Sequence, residues 1–319
     1  MKFLAPREAT PAVAGWRIAG WVVGLILVAT VLAAITSVTL VRFILPHLPA
    51  AWSDAVLHRG AGKIMVRAMQ VWVVLLLPLW LRSSGWRGWR DCGWQGGPFP
   101  HPLWQDILGG FAVGVATLGG LALFMFMTGH RVAGPLDTTL NSIAVFISFA
   151  LSATAVAVFE ETLARGIIFR LWARAWGAVA AALASSLLFA IAHFIQPSAA
   201  AFAVPGFWSA VGSLSLNALQ PDMSEPAFLI RLLNLTCLGL TLCAMVRLTG
   251  SIWLAVGAHA GWVWSIKINN FFTDAAPVPW RSPLWGARGD LTDSAIGMTT
   301  LLIVLLGVLW VHRRRTCRE

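Results

Sequence analysis

The chain has 319 residues, 58% of them hydrophobic and only 11% charged, with a mean hydropathy of +0.76. A soluble domain averages roughly 45–50% apolar and about 25% charged residues, so this composition excludes a disordered chain and a water-soluble globule. The net charge of +10 would suggest nucleic acid in a soluble protein; here the basic residues fall between apolar runs, where they set membrane topology instead.

A spanning helix needs about 20 apolar residues. Runs over 18–44, 64–82, 105–128, 139–162, 177–197, 228–248, 250–271 and 296–312 predict eight such helices. The first is too long for a signal-peptide core and lacks a small-residue cleavage site, so it reads as a retained span. The second carries Arg67 near its start and Pro78 near its end. Segment 198–216 is apolar but interrupted by Pro205 and Gly206, which suits a re-entrant or interfacial piece. No repeat, low-complexity tract or soluble domain is evident. The fold class is therefore all-α: a polytopic membrane protein forming one transmembrane domain over 1–319, with an intramembrane polar cavity. Cys92, Cys237, Cys243 and Cys317 have no paired spacing and predict neither disulfides nor a zinc site. The 18 Trp and 17 Phe, with no Tyr, fit side chains at or below a headgroup interface.

Eight spans leave both termini on one side. Lys2 and Arg7, Arg82, Arg87 and Arg90, Arg170 and Arg174, Arg247, and Arg313, Arg314, Arg315 and Arg318 share that side. The opposite side holds Arg59, Lys63, Arg131, Arg281 and Arg288, but also most of the acids. The Lys/Arg bias places both termini in the cytoplasm of a cell (plasma or inner) membrane. The Trp/Arg-rich loop 83–104 reads as an interfacial anchor on anionic lipid.

A charge at the bilayer centre costs on the order of 3 kcal/mol, yet the fourth run holds Glu160, Glu161 and Arg165. Glu161 and Arg165 stand i,i+4 with the acid first, the better order for a helical ion pair. The fifth run has a single ionisable group, His193. In an antiparallel hairpin turning at about 174–177, Glu160 and His193 lie at equal depth, each roughly 25 Å from the turn. Phe189, one helical turn before His193, would wall that site. The plainer alternative, that 160–174 is a solvated helix end, does not account for this match. The seventh run adds His259, flanked by Gly257 and Gly261, which allow a neighbouring helix to come close.

Two acids, an arginine and two histidines on three helices must satisfy one another or be hydrated. A carboxylate in an apolar site suits a general base near neutral pH, and a neutral imidazole can hold a water or donate to an oxyanion. Two histidines and one glutamate also make a hydrolytic zinc set, here Glu160, His193 and His259, although no His-Glu-x-x-His run is present.

The order Glu160-Glu161-x-x-x-Arg165, Phe189-x-x-x-His193 and a later His259, with Gly166 after the arginine, resembles the CPBP family. These are the type II CAAX prenyl proteases and bacteriocin-processing proteins, also called the Abi family of intramembrane proteases. The resemblance covers mainly 140–270. It implies a bundle of about eight spans with a conical cavity open to the cytoplasm and a glutamate mechanism without a cofactor. It implies that Glu160 activates water, His193 lies close to that water, His259 supports the oxyanion, and Glu161 and Arg165 support the site. Many members carry Asn four residues after the third-motif histidine as a second oxyanion donor; here Val263 stands there, with Trp262, Trp264 and Ser265 nearby as substitutes. The expected partners are a peptide or membrane-tethered protein substrate and the lipid bilayer. Rival readings are a non-catalytic scaffold or immunity protein of the same fold and a proton-coupled transporter, the latter disfavoured because Pro205 has no counterpart in a second half.

Overall fold

The computed structural model describes residues 15–50, 53, 60–83, 88–95, 102–134, 142–195, 197, 199–220, 223, 227–276, 284–286 and 291–316. Lys2, Arg7, Cys317, Arg318 and much of loop 83–104, on which the topology and anchor expectations rest in part, lie outside them. The chain is an all-α polytopic membrane protein. Six helices among the described residues are long and apolar enough to cross a membrane. They cover the first four expected runs, the sixth and the eighth.

The two other expected spans differ in physical character. Ala178–Ala192 has 15 residues, about 22 Å of helix, and is apolar but short. Trp253–Phe272 has 20 residues, long enough to span, but it carries His259, Ser265, Lys267, Asn269 and Asn270, which lower its hydropathy. Segment 198–216 forms a short turn of helix, Ala199–Ala203, and then Phe207–Ala218. At 12 residues, about 18 Å, the latter is too short to cross, and the break falls at Gly206, whose φ is 82°.

Two compact units are present. The smaller is formed by described residues of 10–86 and 191–222. It contains helices α1 (Gly15–Thr39), α2 (Ala61–Ser83) and α8 (Phe207–Ala218). Small residues Ala33, Ala34 and Ala210, with Met65 and Leu214, make its core. Arg42 leaves the end of α1 to donate to the carbonyls of Phe202 (2.8 Å) and Val204.

The larger unit comprises described residues of 87–190 and 223–319. Its helices are α3 (Leu103–Gly114), α4 (Gly120–Met127), α5 (Ser142–Glu161), α6 (Arg170–Trp176), α9 (Phe228–Thr249), α10 (Trp253–Phe272) and α11 (Ala295–Thr316), with most of α7 (Ala178–Ala192). A two-stranded antiparallel pairing of Arg131–Ala133 with Thr273–Ala275 closes one end of α10. At its centre α10 packs against α3 and α5. The α3–α10 contact is backbone on backbone. A Cβ on Gly257 would sit 2.1 Å from the carbonyl oxygen of Ile107, and one on Gly261 would sit 2.5 Å from that of Phe111. Gly110 and Gly114 answer from α3, each within 2.5 Å of an α10 carbonyl if given a Cβ. The glycines beside His259 thus hold its helix at close range.

Gly257→Ala must push α3 and α10 apart and is expected to destabilise the protein by about 1–3 kcal/mol. Gly24→Ala in α1, where a new Cβ meets nothing within 4 Å, is expected to leave stability unchanged. Thermal melts of the two variants in detergent check this.

Candidate active site

Glu160 and Glu161 are the last residues of α5, where the helix widens into π-helical turns over Thr162–Phe169 before α6 resumes. Such widening is rare and concentrates at functional sites. It carries Arg165, 0% exposed, back to Glu161, also 0% exposed, with Nη1 donating to Oε1 at 3.0 Å. His259 reaches the same oxygen from α10, its Nδ1 2.8 Å from Glu161 Oε1. One buried carboxylate oxygen therefore receives two donors. Glu161 Oε1 accepts from Arg165, so Nδ1 of His259 is assigned the proton of the bond to the same oxygen.

The other face of the imidazole looks toward Glu160: Nε2 stands 3.8 Å from Oε2. That separation is too long for a direct hydrogen bond but within ion-pair range. Phe189 of α7 packs against His259 in a T-shaped pair, with centroids 6.0 Å apart at 80°. Its face lies against the guanidinium of Arg165, 4.3 Å from centroid to carbon. The expected aromatic wall is present, and it also backs the arginine through a cation–π contact. Glu161 Oε2 and Arg165 Nε and Nη2 are buried and have no hydrogen-bond partner among the described residues.

Glu160, Glu161, Arg165, Phe189 and His259 are thus brought together. His193 directly follows the last residue of α7, half-buried, in the smaller unit. The helix was expected to run to about 197; it ends at Ala192, so His193 sits on a turn. The substitutes for the third-motif Asn are already committed. Trp262 Nε1 donates to Thr117 Oγ1 (2.8 Å), Trp264 Nε1 to the Phe146 carbonyl (3.1 Å), and Ser265 Oγ to the Gly261 carbonyl (2.8 Å).

Sequence reasoning missed the role of residues 88–95. Instead of forming only a surface anchor, this stretch folds onto the site helices. The Cys92 carbonyl lies against Gly166, where an added Cβ would come within 2.9 Å. Burial pushes the Cys92 thiol up to about 11. Among the described residues, no group of three His, Cys, Asp or Glu is arranged to hold a metal ion.

Residues 142–265 match the family described as type II CAAX prenyl endopeptidase, Rce1-like. The matched stretch is similar to an Rce1-like domain. It begins at the start of α5 and ends within α10, so it includes Glu160, Glu161, Arg165, Phe189, His193 and His259. The match agrees with the resemblance to the CPBP family, and the matched family is a protease family. No curated protein and no solved structure matches the chain.

Glu161→Gln removes the anion shared by two buried cationic or polar donors, and leaves Arg165 uncompensated at a cost of about 3–5 kcal/mol. Adding Arg165→Met is expected to recover part of that loss, as read from melts of the single and double variants. Cys92, buried and poorly ionised, is expected to resist maleimide at pH 8 in a Cys237→Ala, Cys243→Ala, Cys317→Ser background. Its thiolate gains population only as pH approaches about 11, and unfolding is expected to allow full labelling.

Proposed function

We propose that the chain is an intramembrane endopeptidase of the glutamate type, cleaving a peptide or membrane-tethered protein near the cytoplasmic face. The observation that carries this reading is the suspension of His259 between two glutamates, with Nδ1 on Glu161 and Nε2 facing Glu160, inside the Rce1-like domain. Glu160 is the general base. It takes a proton from a water as the water oxygen attacks the scissile carbonyl, and returns that proton to the leaving amine. For His193 the family resemblance implies a place close to that water. His259 presents Nε2–H to the oxyanion as an imidazolium, a state in which two carboxylates and two cations make the buried cluster electrically neutral. Glu161 and Arg165 keep the imidazole oriented, as the acid of a serine-protease triad does.

The reaction in this reading needs no metal. Arg165 and His259 already occupy Glu161 Oε1, and the two glutamates and the histidine are engaged with one another. The protein sits in the cell membrane with both termini cytoplasmic, a reading supported by the Lys/Arg bias of the loops. One observation favours a second reading, a non-catalytic scaffold or immunity protein of the same fold: Trp262, Trp264 and Ser265 already spend their donors elsewhere.

Two variants and a chelator separate these readings. Glu160→Gln and His193→Ala in reconstituted protein are expected to keep the wild-type melting profile and to lose cleavage of an internally quenched farnesyl-cysteine peptide by at least about 10²-fold. 1,10-Phenanthroline is expected to leave wild-type turnover unchanged. Full turnover by Glu160→Gln, or chelator inhibition reversed by zinc, contradicts the mechanism.

A further inference from the structure

We propose that residues 88–95 form a positioning strap for this site and that Trp94 sets the spacing between the glutamate helix and the histidine helix. The proposal rests on the endopeptidase reading for its catalytic consequence. Its geometry stands independently.

The strap is a single turn, Trp89–Cys92, followed by Gly93 in the left-handed region at φ 76°. The positive φ favours glycine there, and an added Cβ would also displace the guanidinium of Arg170. The strap touches both sides of the site. Toward the glutamate helix, Trp94 Nε1 donates to Thr162 Oγ1 at 3.0 Å, on the residue adjoining Glu161. Toward the histidine helix, the Trp94 carbonyl accepts from Trp253 Nε1 at 2.8 Å, and the Gly93 carbonyl accepts the Ile252 amide at 3.1 Å. Ile252 is the N-cap of α10, so the strap satisfies an amide at the start of the helix that carries His259. The Trp94 and Trp253 rings pack at 6.0 Å.

Two contacts from α6 reinforce this arrangement, one of them to the strap itself. Arg170 Nη2 donates to the Gly250 carbonyl at 3.0 Å, joining α6 to the turn before α10, and Arg174 pairs with Asp91 at 3.3 Å. The strap therefore bridges the π-helical stretch after Glu161 and the first turn of α10. π-Helical turns are rare and concentrate at functional sites, and the Trp94–Thr162 bond is made at the first residue of such a stretch, so it bears on where Glu160 and Glu161 stand against His259. A shift of about 1 Å in such a group can cost as much as 10²-fold in rate.

Trp94→Phe keeps the ring and the carbonyl bond to Trp253 but loses the bond to Thr162; Thr162→Val loses the same bond from the other side. In nanodiscs with the quenched farnesyl-cysteine peptide, each is expected to lower kcat about tenfold with KM unchanged. The double variant is expected to fall no further, because both remove one interaction. In 15N-histidine-labelled protein, the His259 resonances, assigned by their loss in His259→Ala, are expected to shift and to titrate over a different pH range in Trp94→Phe. A rise in KM with kcat unchanged, independent multiplying effects, or unmoved His259 resonances overturns the proposal. Absence of wild-type turnover overturns the endopeptidase reading alone, and the resonance measurement then decides the strap.

Discussion

The carboxylate of Glu161 is the junction on which the catalytic arrangement depends. It is wholly buried, and one oxygen accepts from both Arg165 and His259. An isolated carboxylate at that depth is untenable. The arginine makes the ion affordable, and the ion in turn settles which nitrogen of the imidazole carries its proton. Everything that faces Glu160 follows from that choice, since only the opposite nitrogen, Nε2, remains to meet the second carboxylate.

Close packing brings these groups into register. The glycines of α3 and α10 let two helices touch through their backbones, and this leaves His259 little freedom along its own axis. Phe189 contributes from α7 by packing against the imidazole in a T-shaped pair and covering the guanidinium with its face. An apolar ring thereby excludes water from the ion pair while permitting both charges to remain. The widened turns after Glu161 carry both Thr162, which takes the Trp94 indole proton, and Arg165, which donates to Glu161.

The matched domain ends within α10, yet elements outside it complete the site's support. Thr117, between α3 and α4, takes the indole proton of Trp262, and the Gly93 carbonyl takes the amide that starts α10. Both partners lie in segments without a family motif. Their contribution is a hydrogen bond at a particular position, which leaves little trace in composition or periodicity.

Composition and hydropathy alone determined that the chain is helical and crosses a membrane, because lipid leaves the backbone no other partner. The cost of burying charge singled out Glu160, Glu161, Arg165 and His259, and helical spacing already paired Glu161 with Arg165. Tertiary structure decided what one-dimensional spacing does not encode: that Glu161, rather than Glu160, holds the histidine at 2.8 Å; that the donors of Trp262, Trp264 and Ser265 are spent on helix contacts; and that a stretch with the composition of a lipid anchor instead ties two helices together. Each of these depends on which way a side chain turns after distant segments pack, and that direction is set by neighbours tens of residues away in the chain.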